Sequence, residues 1–567
     1  MGAWKTSIKG GAIVFGLLLG LILPARAATF LVTTTADAGA GSLRQAIANA
    51  NITPGADVIN FNIPGSGVQT LTPASPLPAI SDPVNINGYS QPGSSMNTLA
   101  NADNAVLLIE INGAVSLQFG LDINLPGSGS TIRGLVINRV AGGVAKGIII
   151  RGNNCIIQGN FIGTDPTGTI AFNLSGDGIQ TDTSSGGGSD NTIGGVLPGQ
   201  RNVISGNRFN GISINGDNNV IQGNFIGVDA TGAKALPNGA DGGLGVRIGN
   251  SGTGTLVGGT IAGARNIISG NASGGLEIIA DLSCCNVVQG NFIGTDATGT
   301  KPLGNGGSGV DLSFSLGGNL IGGTTPEARN VISGNGTSGV VLQGAAETGD
   351  EVQGNFIGTD VTGTLALGNG FDGVVILSAN SASIGGTTVG AGNIIAHNGR
   401  FGISVLGNAG INNALLGNSI FDNRSLGIGL LSDGVTLNDP SDADEGPNHL
   451  QNYPVLTSVG TAAGTTSVAG SLNSTANTTF RLEFFSNVSI DPSGFGEGQT
   501  FLGSSNVTTD PSGNASFNVG FPQIAAGRRV TATATDPAGN TSEFSAALGQ
   551  LLNISTRLRV QTDDNVL

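Results

Sequence analysis

Short apolar runs that alternate with polar residues recur along most of the chain, and glycine, asparagine and aspartate separate them. Gly211–Ile214 and Val220–Gln222 are two such runs. Alternation with a period of two residues is typical of β-strands, and runs this short do not make helices. The pattern therefore predicts an all-β chain built from many short strands.

Three strings recur at a nearly constant spacing. QGNFIG recurs at steps of 64, 67 and 64 residues, RN(V/I)ISGN at steps of 64, and (I/V)GG less regularly. Each 64-residue unit therefore holds three similar pieces, which predicts stacked coils of about 21 residues. The predicted fold class is a right-handed parallel β-helix, a solenoid with a 64-residue super-repeat. The strings begin at Gln158, Gln222, Gln289 and Gln353, at Arg201, Arg265 and Arg329, and at Ile193, Val257, Ile321 and Ile384.

Residues that recur at one position of the repeat should share one environment. We expect the repeated isoleucines to fill the core, and the phenylalanines one residue earlier to face the other way unless a bend turns them in. The repeated asparagines should mark sharp turns, since asparagine tolerates left-handed backbone and bonds to neighbouring backbone groups. These residues are Ile162, Ile226, Ile293 and Ile357, then Phe161, Phe225, Phe292 and Phe356, then Asn160, Asn224, Asn291, Asn355 and Asn418.

The open ends of a β-helix expose backbone edges, so caps are expected. Residues 28–130 predict a cap and irregular first coils, with a short helix from Leu43 to Asn51. Ser42 and Gln45 have the spacing of a capping box at its start. The repeats proper extend over residues 131–432.

Beyond the repeats the pattern changes. Residues 433–454 form an acidic linker loop, and residues 455–546 alternate in longer runs separated by DPSG- and DPAG-type turns. That pattern predicts an antiparallel β-sandwich. Residues 547–567 begin a further strand, which is typical of the start of a truncated module.

The first residues have the pattern of an export signal. Two lysines precede an apolar run of 12 residues, Ala12 to Leu23, and a small-x-small site follows, so we expect cleavage after residue 27. Cleavage removes three positive charges from a chain of formal charge −15, leaving −18. We therefore expect a secreted or cell-surface protein without a transmembrane segment, and no nucleic-acid partner.

Two stretches resemble known exported proteins. TTTADAGAGSLRQAIANAN, QGNFIGTD and RNVISGN are similar to bacterial CSLREA-type β-helix repeat proteins, although the name motif itself differs at Gly41–Gln45. The segment FLGSSNVTTDPSGNASF is similar to bacterial Ig-like modules. The resemblance implies an exported repeat protein and assigns no reaction.

One acidic cluster suggests a metal. Asp439, Asp442, Asp444 and Glu445 lie close together in the glycine- and proline-rich linker. Ca²⁺ prefers six to eight oxygen ligands, which carboxylates supply. The cluster therefore predicts a calcium site, with a solvated acidic linker as the alternative.

The solenoid also offers weak candidates for catalysis. Asp177 and Asp182, in GDGIQTD, are the closest carboxylates for a sugar-cleaving pair. The repeated aspartates of the GxDxTG string instead suit a turn-forming role. These are Asp165, Asp229, Asp296 and Asp360, and the repeated arginines are interpreted as surface or turn residues.

The sequence thus favours a structural or adhesive surface protein without catalytic activity, expected to be a monomer. A polysaccharide lyase or glycoside hydrolase and a calcium-dependent glycan-binding protein are the alternatives. Glycans or surface polymers are the expected partners, and Ca²⁺ the one expected cofactor.

Overall fold

The computed structural model describes residue 2 and residues 27–113, 117–143, 145–249, 252–279, 283–344, 349–407, 410–431 and 434–550. Three long sheets form in which each strand pairs in parallel with strands of the coils before and after it. The chain is a parallel β-helix, which confirms the predicted fold class. Most of the predicted signal peptide, and residues 551–567, lie outside the described residues. In the described ranges no helix has the length and hydropathy needed to cross a bilayer.

The three sheets are named here in the order in which a coil visits them. Sheet 1 contains Thr29–Val32, Asp57–Phe61, Val84–Asn87, Thr131–Arg133, Ile156–Gln158, Thr192–Gly194, Val220–Gln222, Leu256–Gly258, Val287–Gln289, Leu320–Gly322, Glu351–Gln353, Ser383–Gly385 and Ala414–Leu416. Sheet 2 contains Gln69–Leu71, Ile109–Asn112, Leu135–Asn138, Phe161–Ile162, Val203–Ile204, Phe225–Ile226, Ile267–Ile268, Phe292–Ile293, Val331–Ile332, Phe356–Ile357, Ile394–Ala396 and Ser419–Phe421. Sheet 3 contains Phe119–Ile123, Lys146–Ile150, Asp177–Thr181, Ile212–Ile214, Val246–Ile248, Leu276–Ile279, Val310–Ser313, Val340–Gln343, Val374–Leu377, Ile403–Leu406 and Ile428–Gly429.

The predicted coil length of about 21 residues is wrong, because each 64-residue unit contains two coils. Ile156 pairs with Thr192, 36 residues on, and Thr192 pairs with Val220 after a further 28. The (I/V)GG and RN(V/I)ISGN strings mark the sheet 1 and sheet 2 strands of one coil. QGNFIG begins at the last residue of the sheet 1 strand of the other coil and contains its sheet 2 strand. Three strings therefore mark two coils.

The two sides of sheet 2 have different neighbours. The repeated isoleucines are fully buried in the main core, as predicted. The repeated phenylalanines lie in a second cluster on the outer side of the sheet. There Arg201, Arg265 and Arg329 stack on the rings of Phe225, Phe292 and Phe356, with the guanidinium carbon 4.0–4.2 Å from each ring centre.

A ladder of buried asparagines occupies the turn between sheets 1 and 2. The Nδ2 group of each asparagine donates to the Oδ1 of the next, for example from Asn224 to Asn266 at 3.1 Å and from Asn266 to Asn291 at 3.0 Å. The asparagine side chains also bond to neighbouring backbone groups, as expected. The left-handed backbone conformation, however, is adopted by the glycine that precedes each of the predicted turn asparagines. Gly223, for instance, has φ +69°. Glycine therefore makes the turn and asparagine satisfies its polar groups.

The predicted N-terminal cap is confirmed. A helix spans Leu43–Ala50, and the Oγ of Ser42 accepts a hydrogen bond from the backbone N–H of Gln45. Leu43 and Ile47 are buried in the main core, so the helix closes the first coil.

Two antiparallel sheets follow the solenoid. One contains Val455–Ala462, Thr465–Asn473 and Asn514–Pro522, and the other contains Thr479–Asn487, Thr500–Thr508, Arg529–Thr535 and Leu548–Gly549. Short 3-10 helices lie at Gly88–Ser90, Leu125–Gly127, Pro198–Gln200, Ala262–Ala264 and Pro447–Leu450. The predicted β-sandwich is therefore present, and its last described strand ends at Gly549.

The sandwich closes the C-terminal end of the solenoid. Its Phe485 and Phe544 are part of the main core of the β-helix. The amides of the last coil, which have no further coil to pair with, donate to the sandwich. Gly417 N–H donates to Glu483 (2.8 Å), Leu430 N–H to Glu543 (3.0 Å), Leu415 N–H to Thr541 (3.0 Å) and Ile420 N–H to the Gly498 carbonyl (3.0 Å). The sandwich thus satisfies the exposed backbone edge of the helix.

Candidate functional site

The acidic loop at residues 434–454 connects the last coil to the sandwich and is bonded to both. The Oδ1 of Asn448 accepts from the backbone N–H of Asn413 in the solenoid, and its Nδ2 donates to the carbonyl of Thr541 in the sandwich. On the far side of the loop, Ser441 N–H donates to Asn473 at the end of a sandwich strand. The loop therefore has a fixed path.

This path brings three of the four predicted metal ligands together. Asp439, Asp442 and Asp444 each place one carboxylate oxygen within 4.8 Å of the other two. Asp442 is oriented by Ser474 Oγ (2.6 Å) and Asn452 N–H (2.8 Å), which donate to different oxygens of its carboxylate. We call these three residues the carboxylate trio.

The fourth predicted ligand lies elsewhere. Glu445 is 87 % exposed, and its carboxylate lies 3.4 Å from Nδ1 of His449. Its side chain therefore faces solvent and not the trio. The cluster that the sequence indicates is thus real for three of its four members.

The trio has unfavourable electrostatics in the absence of a cation. Burial, followed by the neighbouring charges of Asp444 and Asp439, raises the pKa of Asp442 to about 6. Burial and the charge of Asp439 also raise the pKa of Asp444, and its buried Oδ1 has no hydrogen-bond partner. Adjacent carboxylates with an unpartnered oxygen fit a hard, oxygen-seeking cation such as Ca²⁺.

The two weak catalytic candidates lie about five strand residues apart, roughly 16 Å, so they do not form a pair. Asp177 is buried, forms an ion pair with Lys146 and accepts hydrogen bonds from Asn210 N–H (2.9 Å) and Asn210 Nδ2 (3.0 Å). Asp182 bonds to Nε of Arg151 at 3.1 Å. Both carboxylates are therefore engaged in contacts between coils.

Arg151 joins three consecutive coils of sheet 3. Its guanidinium also bonds to Asp122, so it lies between two carboxylates on alternate coils. Burial raises the pKa of Asp122, while in Asp182 hydrogen bonds from Ser184 and Arg151 outweigh burial and lower the pKa. Arg151 therefore gives both acids an ion pair that connects neighbouring coils.

The repeated GxDxTG aspartates form turns, as predicted. The Oδ1 of Asp165 accepts from the N–H groups of Thr169 and Ile170, both at 2.9 Å, and closes a small hairpin in which Thr164 pairs with Ala171. Hydrogen bonds of this kind outweigh burial and lower the pKa of Asp165. The same hairpin recurs in alternate coils.

The class of protein that this fold defines is the parallel β-helix. No protein-family model and no curated protein matches the sequence. Among solved structures, the periplasmic alginate epimerase AlgG is similar, with 13% identity and a TM-score of 0.23 over 67% of this chain and 71% of that chain. The enzymatically active domain of tailspike protein 2 of bacteriophage CBA120 has 12% identity and a TM-score of 0.28 over 88% and 73%. The likeness concerns the fold alone.

Proposed function

We propose that this chain is an exported structural or adhesive rod, and that Ca²⁺ at the carboxylate trio fastens its C-terminal sandwich to the solenoid. The observation that carries the proposal is the assembly of Asp439, Asp442 and Asp444 in the loop that connects the two parts. Asp442 already bonds to Ser474 of the sandwich. A cation bound there would cross-link the loop and relieve the repulsion between its acids.

The export half of the proposal is supported by sequence. The lysines, apolar run and small-x-small site of residues 1–27 have the pattern of a signal peptide. The resemblance of the repeats to CSLREA-type proteins points the same way. An extended, acidic and glycine-rich rod suits display outside the cell, where it contacts glycans or surface polymers.

The non-catalytic half is supported by the contacts of the candidate acids. Asp177 is neutralised by Lys146, and Asp122 and Asp182 share Arg151. Each of these ion pairs joins neighbouring coils, which gives the acids a structural role. The alternative, a sugar-cleaving enzyme, would need these bonds to open when substrate arrives.

Thermal unfolding of residues 28–567 after chelation, with Ca²⁺ added back, tests the calcium site. A ligand at 100 times its dissociation constant stabilises the bound state by about 2.7 kcal/mol, so Tm should rise measurably. Asp442→Asn should abolish the rise, because it removes one charge and one ligand oxygen, while its remaining oxygen still accepts from Asn452 N–H. Glu445→Gln is the matched control and should keep it. If Ca²⁺ raised the Tm of Asp442→Asn as much as that of the wild type, the assignment of the calcium site to the carboxylate trio would be wrong.

Incubation with acidic and neutral polysaccharides, following new reducing ends and unsaturated-uronate absorbance, tests the absence of catalysis. We expect no turnover with or without Ca²⁺. Turnover that disappears in Asp182→Asn or Asp122→Asn would overturn the structural assignment and place the chemistry at Arg151.

A further inference from the structure

A groove follows the outer side of sheet 2, and we call it the arginine groove. Its floor is made by the stacked pairs of arginine and phenylalanine that recur in alternate coils. One wall consists of the loops at residues 196–200, 260–264 and 324–328. The GxDxTG hairpins, which contribute residues such as Ala297, form the other wall.

At the first arginine the protein fills this groove itself. The segment at residues 97–103 crosses it from wall to wall, with Asn97 Nδ2 donating to the Pro198 carbonyl (3.1 Å) and Asp103 N–H to the Ala230 carbonyl (2.6 Å). Between these contacts, the terminal nitrogens of Arg201 donate to three backbone carbonyls of the segment, those of Leu99, Ala100 and Ala102. Arg201 is consequently buried, and four of its five N–H groups donate to backbone carbonyls.

The next two arginines make the same structural contacts without such a cover. Arg265 Nε donates to the Gly290 carbonyl and Arg329 Nε to the Gly354 carbonyl, both at 2.9 Å. In the part of the chain that the structure describes, their terminal nitrogens have no hydrogen-bond partner. Arg265 lies between two cavities of about 190 and 200 Å³, and both are lined by Ala262.

The chemistry of these open positions selects a carboxylate. A guanidinium held by its Nε and by an aromatic ring offers its two terminal nitrogens as a fork, which matches a carboxylate in bidentate geometry. Burial lowers the pKa of Arg265, yet arginine stays charged in proteins. A partly desolvated cation without a counterion gains most from an anionic partner.

The distance between the two open arginines favours a linear and rigid polymer as the ligand. Arg265 and Arg329 are two coils apart, about 9.6 Å. An extended peptide covers that distance in about three residues, and side chains three residues apart in a strand point to opposite faces. A glycan chain whose acid groups recur on one side meets the requirement. The exposed Leu197 and Ile261 at the wall offer apolar contacts for sugar rings.

We propose that the arginine groove binds an acidic, uronate-bearing polysaccharide through Arg265 and Arg329. The proposal deepens the adhesive function by naming the partner, and it is independent of the calcium site. Because the whole chain carries a net charge of −15, the attraction is local to the groove. Burial lowers the pKa of Arg329, and the charge of the nearby Glu327 partly offsets this effect. Glu327 therefore competes with the ligand for Arg329.

Calorimetric titration of residues 28–567 with a defined-length oligouronate at low salt tests the proposal. Arg265→Gln and Arg329→Gln should each weaken binding by about tenfold or more, since each removes a charge-assisted contact. Glu327→Gln should strengthen binding. Arg208→Gln is the matched control, because Arg208 is exposed and forms its ion pair with Asp241, away from the groove arginines. A neutral oligosaccharide of equal length should not bind.

A second variant separates ligand contact from folding. Ala262→Glu places a negative charge on an exposed residue that lines both cavities beside Arg265. It leaves the arginine and phenylalanine residues themselves unchanged, so it should also abolish binding without lowering Tm. No oligouronate binding by the folded wild type, or binding that Arg265→Gln and Ala262→Glu leave unchanged, would overturn the proposal. Tighter binding of an acidic peptide of equal charge would replace the glycan with a protein partner. A failed calcium test leaves all these outcomes unaffected.

Discussion

Replacement of one asparagine of the ladder should destabilise the solenoid by more than the small volume of the lost side chain suggests. Asn266 is fully buried. Its Nδ2 donates to the Ile221 carbonyl (2.8 Å) and to Asn291 Oδ1 (3.0 Å). Its Oδ1 accepts from the backbone N–H (3.0 Å) and the Nδ2 (3.1 Å) of Asn224. Asn266→Ala therefore removes four hydrogen bonds and leaves their partners buried.

The magnitude follows from these four bonds. At a net value of about 1 kcal/mol each, their loss costs about 4 kcal/mol, and the desolvated partners add to it. Urea unfolding followed by circular dichroism measures the change. The matched control is Asn518→Ala, an exposed strand residue of the sandwich, for which we expect about 0.5 kcal/mol or less.

A charged variant distinguishes hydrogen bonding from packing. Asn266→Asp keeps the shape and the acceptor but loses the donor and buries a carboxylate, so it should be more destabilising at pH 7 than at pH 4. Asn266→Ala should show no such pH dependence. A loss under about 1 kcal/mol for Asn266→Ala would refute the reasoning, because the ladder would then be incidental to stability.

Two further predictions concern buried carboxyls whose pKa is raised in the folded state. Such a group binds its proton more tightly in the folded state, so the free energy of unfolding is highest at low pH and falls as pH rises. Burial, with the charges of Asp422 and Asp491, raises the pKa of Glu497 to about 8. Against an unfolded value near 4.3, its effect changes by about 1.4 kcal/mol per pH unit between those values, so Glu497→Gln should match wild type near pH 4 and exceed its Tm at pH 8. Asp350 belongs to a second row of buried side chains, in which Asn286 Nδ2 donates to Asn319 Oδ1 (3.1 Å) and Asn319 Nδ2 donates to Asp350 Oδ1 (3.0 Å). The buried Oδ2 of Asp350 has no partner among the described residues, and burial raises the pKa of this carboxyl. Asp350→Asn should therefore stabilise the protein by about 1 kcal/mol at pH 8, and an unchanged unfolding midpoint would contradict this role.

The sequence predicts the fold well because its signal is local and repeated. Strand periodicity identifies the inward isoleucines, such as Ile226, and the spacing of Ser42 and Gln45 identifies the N-terminal cap. The number of coils per unit is not local information. It depends on which strings share a coil, and that is decided by the pairing of Ile156 with Thr192.

The candidate sites also combine features that follow from local sequence with features that depend on the folded path of the chain. Asp439, Asp442 and Asp444 lie within one loop, so their proximity follows from sequence spacing, whereas the exposure of Glu445 depends on how the loop turns. The arginine groove could not be predicted from the repeat alone. Arg201 and Arg265 occupy equivalent repeat positions. The difference comes from the path of residues 97–103, whose backbone carbonyls accept hydrogen bonds from the terminal nitrogens of Arg201 and do not reach those of Arg265.

The two-coil period has a physical cause in the hairpins that form one wall of the groove. Each hairpin bonds directly to the hairpin two coils away: Ala230 N–H donates to the Gly168 carbonyl (2.8 Å) and Ala297 N–H to the Gly232 carbonyl (2.9 Å). A hairpin thus fills the height of two coils, about 9.6 Å, and a hairpin in every coil would collide with its neighbours. The spacing of the arginines beside them follows from that height. The spacing between the arginines that contact a bound polymer is therefore fixed by backbone packing, and substitution of the arginines alone cannot change it.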